Sequence, residues 1–178
     1  MGRPRVTRVA ERPSESPVSG APRIAPRVWT PADLHDYEGP LLLDTHVWLW
    51  HVEGNSSHFA PGTTALLDRS GAHSRLFVSD ISYWEVAVKA AKGKLSFSVD
   101  VAVWLQRAEE APGIRFRPLT RPVLLQSTRL GGTAHNDPAD RMLIAMAQLD
   151  SVPLVTGDRL IIEYARAQRG TPVVDVRA

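Results

Sequence analysis

Short, continuous apolar runs alternate with longer amphipathic segments from residue 41 onward. Leucines occupy all of 41–43, and the runs at 76–78 and 154–155 are equally short and apolar. Such runs are typical of strands buried on both faces of a parallel sheet. A fourth segment, 114–117, alternates between apolar and basic side chains. The pattern therefore predicts strands at 41–43, 75–79, 114–117, 153–156 and 173–174.

Helical periodicity fills the intervals between these runs. Gly93, Pro112 with Gly113, and Gly131 with Gly132 stand where three of the helices should end. Strands that alternate with helices favour right-handed crossovers and a parallel sheet. We therefore predict an α/β fold, a three-layer α/β/α sandwich around a central parallel sheet. The predicted helices cover 45–51, 61–70, 80–92, 99–110, 121–130, 137–150 and 159–169.

Residues 1–40 differ from the rest in composition. They are rich in Pro, Arg, Ser and Gly and contain few large apolar side chains, so burial could not offset the entropy of ordering them. Residues 1–32 carry a net charge of +4 in a chain whose total is +2, which leaves −2 for the remainder. We predict a disordered tail at 1–40, followed by one domain at 41–178. One interpretation is that this tail is a solvated segment or results from a start site placed too early. The other is that it is a basic arm that contacts RNA or a partner.

Several protein classes are excluded by what the chain lacks. It contains no cysteine, so disulfide scaffolds, thiol nucleophiles and Cys-based zinc sites are ruled out. No apolar run approaches the ~18 residues that a membrane span requires. The Arg-rich start has no apolar core of a secretory signal. We expect a cytoplasmic protein with no membrane association.

Four acidic residues are predicted to meet at one edge of the sheet. Asp44 directly follows the strand at 41–43, and Asp158 follows the strand at 153–156. Glu85 and Asp140 lie in the first two turns of helices that begin near the same edge. In open α/β sheets, ligands bind outside the carboxyl ends of the strands. Carboxylate oxygens suit Mg²⁺ or Mn²⁺, which can activate water and orient a phosphate.

Each acid also has a structural alternative. Asp44 and Asp158 could cap the helices that follow them. Glu85 could pair with Lys89 one helical turn later. Asp140 could complement a helix dipole. A single acid is thus weak evidence, and the hypothesis depends on all four meeting at one edge.

Neighbouring residues are candidates for support or substrate contact. Thr156 could donate its hydroxyl to Asp158 or to water on a metal, and His46 could contact substrate beside Asp44. Arg141 and Lys89 could hold a phosphate or balance negative charge. The remaining histidines are not spaced as a compact zinc motif.

The four acids lie in segments with recognisable sequences. These are LLDTHVWLW at 42–50, WEVAVKAAKGKL at 84–95, DPADRMLIA at 137–145 and LVTGD at 154–158. In order and spacing they resemble the motifs of PIN domains in VapC-type toxins, and the resemblance covers about 41–177. Asp137, the first acid of the third segment, is better explained as a helix cap before Pro138.

The resemblance implies both an activity and partners. It implies a Mg²⁺- or Mn²⁺-dependent endoribonuclease, the toxin of a toxin–antitoxin system, which hydrolyses RNA with metal-activated water. The implied catalytic and metal-binding residues are Asp44, Glu85, Asp140 and Asp158. The resemblance further implies a homodimer and a VapB-like antitoxin whose C-terminal segment blocks the site. Residues 1–40 have no counterpart in the usual short toxin chain.

Three rival functions remain open. A DNA- or structure-specific PIN-like nuclease would use the same phosphate chemistry. A non-catalytic PIN scaffold would need none of the acids, although all four are present. A phosphatase with an aspartyl nucleophile usually carries a second Asp two residues after the first, and here that position is His46.

Overall fold

The central sheet has six strands, all parallel, in the order β1-β6-β5-β2-β3-β4. This is seen in a computed structural model that describes residues 28–131, 136–168 and 170–178. The predicted parallel sheet is confirmed, with each predicted strand matched to within one residue. The strands are β1 (Val28–Trp29), β2 (Leu41–Leu43), β3 (Leu76–Ser79), β4 (Ile114–Arg117), β5 (Leu154–Thr156) and β6 (Val173–Asp175).

Helices flank the sheet on both sides, which confirms the α/β/α sandwich. The described residues also contain two short 3-10 helices, at Pro31–Leu34 and Ser56–His58. No helix in these described ranges is long and apolar enough to cross a bilayer. The α-helices are α1 (Thr45–Val52), α2 (Thr63–Ala72), α3 (Asp80–Ala91), α4 (Val101–Glu109), α5 (Arg121–Thr128), α6 (Pro138–Asp150) and α7 (Arg159–Ala167).

Each face of the sheet has its own hydrophobic core. Leu41 and Leu43 belong to the core on one face, whereas Leu42 belongs to the core on the other. This division follows from the strand geometry, because successive side chains point to opposite faces. A strand buried on both faces must therefore be apolar throughout, as the 41–43 run is.

The predicted helix ends agree with the structure to within about two residues. Gly93, with φ of +65°, ends α3 as expected. Gly113 has a positive φ of +84°, which favours glycine. Close packing also requires glycine there, since a Cβ would lie 2.3 Å from the carbonyl oxygen of Gly71. Residues 132 and 169, which fell at two predicted helix ends, lie outside the described residues.

The prediction that the first 40 residues form a tail is wrong for residues 28–40. Val28 and Trp29 form β1, which pairs with β6 at the edge of the sheet. Trp29 and Leu34 are each only 5% exposed and pack into one of the cores. A two-residue strand is too short to show a periodicity, so composition dominated the prediction. Residues 1–27 lie outside the described residues.

Strand order places β2, which Asp44 follows, in the interior of the sheet. It lies between β5 and β3, and its Leu43 is paired with Val155. Asp44 follows Leu43 and Thr156 follows Val155, so these two side chains meet at the carboxyl edge of the sheet. The β5–β6 register continues that edge by pairing Thr156 with Asp175.

Candidate metal centre

Asp44 is buried at the carboxyl end of β2, where it is only 2% exposed. Its backbone N–H donates to the carbonyl of Val155, which fixes it against β5. Although Asp44 stands at the N-cap position of α1, its side chain accepts no capping hydrogen bond. The Thr156 hydroxyl instead donates to Asp44 Oδ2 at 2.5 Å. The capping alternative therefore does not explain why a carboxylate is buried here.

Thr156 connects two of the predicted acids. Its Oγ1 donates to Asp44 and accepts the backbone N–H of Asp158 at 2.9 Å. A hydroxyl has one proton to donate, so the amide of Asp158 directs that proton towards Asp44. The hydroxyl thus contacts Asp44 rather than the carboxylate of Asp158 that the sequence suggested.

His46 holds Asp44 from the other side. Its Nε2 accepts the backbone N–H of Gly157 at 3.0 Å, and its Nδ1 lies 3.3 Å from Asp44 Oδ1. Because Nε2 accepts a hydrogen bond, the ring proton of a neutral imidazole must be on Nδ1, facing Asp44. The rings of Trp50 and His46 pack in a T-shaped arrangement with centroids 4.6 Å apart.

These contacts determine the ionisation of Asp44. Burial by itself would raise the pKa of Asp44, but the nearby His46 and the hydrogen bonds from His46 and Thr156 outweigh it and lower the pKa. Asp44 is therefore a buried carboxylate that stays charged. A buried charge is costly unless it is paired, hydrogen-bonded or bound to a metal ion.

Asp140 has the opposite behaviour at the start of α6. A helix N-terminus favours the charged form of a carboxyl. The pKa of Asp140 is nevertheless raised to about 8. Burial contributes most to this increase, followed by the charges of Asp44, Asp137, Glu85 and Asp158. Asp44, Glu85 and Asp158 therefore each lie close enough to Asp140 to act on it electrostatically.

Glu85 and Asp158 make the structural contacts that were their alternatives. Lys89 Nζ lies 2.5 Å from Glu85 Oε1. Asp158 Oδ1 caps α7, accepting the N–H groups of Leu160 at 2.7 Å and Ile161 at 3.1 Å. A carboxylate has about four lone-pair sites, so these contacts leave it capacity for a further ligand.

The supporting basic residues are also engaged. Arg141 Nε donates to the carbonyl of Ser127 at 2.9 Å, which ties α6 to α5. Lys89 forms an ion pair with Glu85. Asp137 caps α6 by accepting the N–H of Ala139 at 2.8 Å, as predicted from Pro138.

The donor set fits a hard divalent cation, although the side chains are not closed around one. Within residues 28–131, 136–168 and 170–178, no three His, Asp or Glu side chains are grouped tightly enough to hold a metal ion. Two observations nonetheless match such an ion. Burial and, after it, the charges of the neighbouring carboxylates raise the pKa of Asp140, and a cation would relieve the repulsion. The buried hydroxyl of Thr45, beside Asp44, has no hydrogen-bond partner among the described residues.

One basic residue at this edge was missed by sequence reasoning. Arg177 follows β6, and a Cβ at Gly157 would lie 2.8 Å from Arg177 Nε. Its guanidinium lies over the ring of Trp50, 5.8 Å from the centroid. Only the adjacency of β5 and β6 could have revealed it, because Arg177 is distant in sequence from every predicted motif.

A parallel sheet that gathers carboxylates at its carboxyl edge is the arrangement of the PIN domain, and this chain belongs to the PIN-domain family. The family profile matches residues 41–167. Among individual proteins, Ribonuclease VapC22 of Mycobacterium tuberculosis is 29% identical over 119 residues, which cover 67% of this chain and 87% of that protein.

Two solved structures share the fold. DNA-bound VapBC from Salmonella typhimurium gives a TM-score of 0.55 at 16% identity, covering 77% of this chain and 98% of that one. FitAB bound to an IR36 DNA fragment gives 0.51 at 17% identity, covering 78% and 96%. At these identities the likeness establishes the fold alone.

Proposed function

We propose that this protein is a Mg²⁺- or Mn²⁺-dependent endoribonuclease and the toxin of a toxin–antitoxin system. Membership of the PIN-domain family and the likeness to a VapC ribonuclease support the proposal. The observation that carries it is the state of Asp44. This carboxylate is buried and charged, it caps no helix, and its charge helps to raise the pKa of Asp140 across the edge of the sheet.

Asp44 and Asp140 are the principal ligands in this proposal, and Glu85 and Asp158 complete the set. When bound, a divalent cation would supply charge neutralisation at the phosphate and activation of water. Thr156 and His46 act as positioning residues, because each donates to a different oxygen of Asp44. They hold that carboxylate in one orientation and keep it ionised.

We extend the proposal to the protein's partners. VapBC and FitAB, whose folds resemble this chain, are assemblies bound to DNA. We propose a VapB-like antitoxin as the partner that blocks the site, a homodimeric toxin and a cytoplasmic location. Co-expression with the protein encoded beside this one, followed by purification and RNA digestion, tests the antitoxin directly. Loss of RNA cleavage in the purified complex is expected.

The substitution Asp44→Asn tests the site. It keeps the shape and one of the two hydrogen-bonding oxygens but removes the ligand charge. We expect RNA cleavage in Mg²⁺ to fall by more than about 100-fold, since even the partners of metal ligands change activity by about 10–100-fold. The exposed Asp36, in the loop before β2 at the opposite edge, provides the matched control Asp36→Asn. Wild-type activity in Asp44→Asn would overturn the proposed site.

Substrate and metal are tested on the wild-type protein. Digestion of RNA and single-stranded DNA of the same sequence, each with Mg²⁺, Mn²⁺ or EDTA, should show cleavage of RNA alone and only with a cation. Cleavage of DNA alone would favour the DNA-nuclease alternative. Absence of both cleavage and Mn²⁺ binding in calorimetry would favour the scaffold.

A further inference from the structure

Arg177 lies beside the carboxylates because of the register between the last two strands. Thr156 is paired with Asp175, so the residues that follow them run on side by side. The N–H of Val176 donates to the carbonyl of Thr156 at 3.0 Å, which continues the pairing past the ends of the strands. Arg177 is thereby carried alongside Gly157 and Asp158.

Gly157 leaves the space that Arg177 occupies. A Cβ at this position would lie 2.8 Å from Arg177 Nε and 3.3 Å from Val176 Cγ2. The φ angle of Gly157 is not in the left-handed region, so backbone conformation does not require glycine here. Glycine instead permits the guanidinium stem to lie directly against the backbone between Thr156 and Asp158.

An aromatic platform orients the guanidinium. Arg177 lies over one face of the partly buried Trp50, 5.8 Å from the ring centroid. His58 stacks on Trp50 with centroids 4.4 Å apart and an interplanar angle of 22°. The planar guanidinium of arginine stacks well on an aromatic face, and this cation–π contact limits its rotation. Because Trp50 also makes a T-shaped contact with His46, the platform is connected to the residue that holds Asp44.

Among the described residues, no acidic side chain neutralises the charge on Arg177. The other cations near the acids are occupied, since Lys89 pairs with Glu85 and Arg159 lies 3.6 Å from Glu163. In the described part of the chain, no carboxylate lies within ion-pairing distance of the exposed Arg177 guanidinium. Its backbone N–H donates to Asp175 Oδ1 at 3.0 Å, which fixes the main chain and leaves the side chain out of that contact.

We propose that Arg177, seated on Trp50 and against Gly157, binds a phosphate of the RNA substrate beside the carboxylate edge. This inference rests on the proposed ribonuclease function. A polyanion that approaches four carboxylates is repelled by them, and a cation on their flank offsets that repulsion. The guanidinium presents paired N–H donors that match two phosphate oxygens, a geometry that lysine does not offer.

Binding of RNA without cleavage tests the contact. In the Asp44→Asn background, the added Arg177→Gln substitution should weaken binding of a fluorescent single-stranded RNA by about tenfold, the loss expected for one charge-assisted hydrogen-bonding pair. The slope of log affinity against log salt concentration should fall by about 0.7, the value for one phosphate contact on a single strand. Arg107→Gln is the matched control, since this exposed arginine lies on α4, which packs at the β4 edge of the sheet.

Kinetics on the wild-type background distinguish a substrate contact from a structural role. Arg177→Gln should lower kcat/KM by about tenfold or more, chiefly through KM, with partial recovery in Arg177→Lys. Mn²⁺ affinity by calorimetry and the Tm should stay at the wild-type values. A loss of Mn²⁺ affinity in Arg177→Gln would overturn the inference in favour of an effect on the metal centre.

The two levels of the proposal fail in different ways. If the wild-type protein cleaves RNA and Arg177→Gln matches it in both KM and salt slope, the phosphate contact is wrong and the ribonuclease stands. If the wild-type protein neither binds nor cleaves RNA, both are wrong. An equal weakening by Arg107→Gln would show a general effect of charge and would also overturn the specific contact.

Discussion

Asp140 lies partly buried at the start of α6, where burial first, and then four other carboxylates, raise its pKa. The folded protein therefore binds a proton at this position more tightly than the unfolded chain does. Its pKa is about 8 when folded against 3.8 as the ordinary value. By linkage, the free energy of unfolding that Asp140 contributes is fully present below about pH 4 and is lost as the pH rises towards 8.

The substitution Asp140→Asn should consequently stabilise the metal-free protein in alkaline solution. At pH 8 in EDTA we expect the free energy of unfolding to exceed that of the wild type by on the order of 2 kcal/mol, seen as a higher Tm, with little difference at pH 4. The same variant should lose RNA cleavage. Thermal unfolding of both proteins at a series of pH values, with and without Mg²⁺, measures the difference in stability. Mg²⁺ should raise the Tm of the wild type more than that of Asp140→Asn. A lower Tm for Asp140→Asn at pH 8 would contradict the repulsion described here.

Individual side chains were only partly predictable from the sequence. Asp44 could be placed at a strand end, but the hydroxyl that donates to it belongs to Thr156, 112 positions away, and the neighbouring His46 is held by the N–H of Gly157, 111 positions from it. Glu85 and Asp158 adopt the local contacts that the sequence also allowed, with Lys89 and with the N–H groups of α7. A local pattern cannot rank a helix cap against a metal ligand, because both require the same residue type at the same place.

Between elements, Gly157 couples the loop after β5 to both α1 and the end of β6. Its N–H holds His46, and its missing side chain makes room for Arg177. Gly157→Ala keeps the N–H but places a methyl group 2.8 Å from Arg177 Nε. We expect this variant to weaken RNA binding about as much as Arg177→Gln does, since the guanidinium must move away.

A double-mutant cycle checks this expectation. Gly157→Ala combined with Arg177→Gln should bind RNA no more weakly than either single variant, because both remove the same contact. Gly131→Ala is the control, since a Cβ there would meet nothing within 4 Å. Additive losses in the double variant would mean that Gly157 acts independently of Arg177.

Strands and helices were predicted best where packing imposes a long pattern. The leucine run of β2 is apolar because both faces of the strand are buried, and the sequence shows this directly. The ends of α5 and α7 fell short of the predicted ends by two residues, since fraying of a last turn leaves no mark in periodicity. Strand order was not predictable, and the position of Arg177 depends on it.

At the scale of the whole molecule, composition misplaced the start of the domain. The family profile begins at residue 41, which is also where the apolar texture begins. The sheet nevertheless extends to β1, and Trp29 is packed in the core with only 5% of its surface exposed. A Pro- and Arg-rich segment can therefore contribute an edge strand when a few apolar side chains within it are buried.

Two truncations locate the boundary of the folded unit. A chain that begins at residue 41 loses β1, Trp29 and Leu34, and should be destabilised by at least the roughly 3–5 kcal/mol that removal of one buried tryptophan costs. A chain that begins at residue 28 keeps all of these and should unfold at the wild-type midpoint in urea. Trp29→Ala in the full-length chain is the matched variant, because it removes the packing without changing the length. Equal stability of the two truncated chains would show that β1 contributes nothing to the fold, and the boundary would return to residue 41.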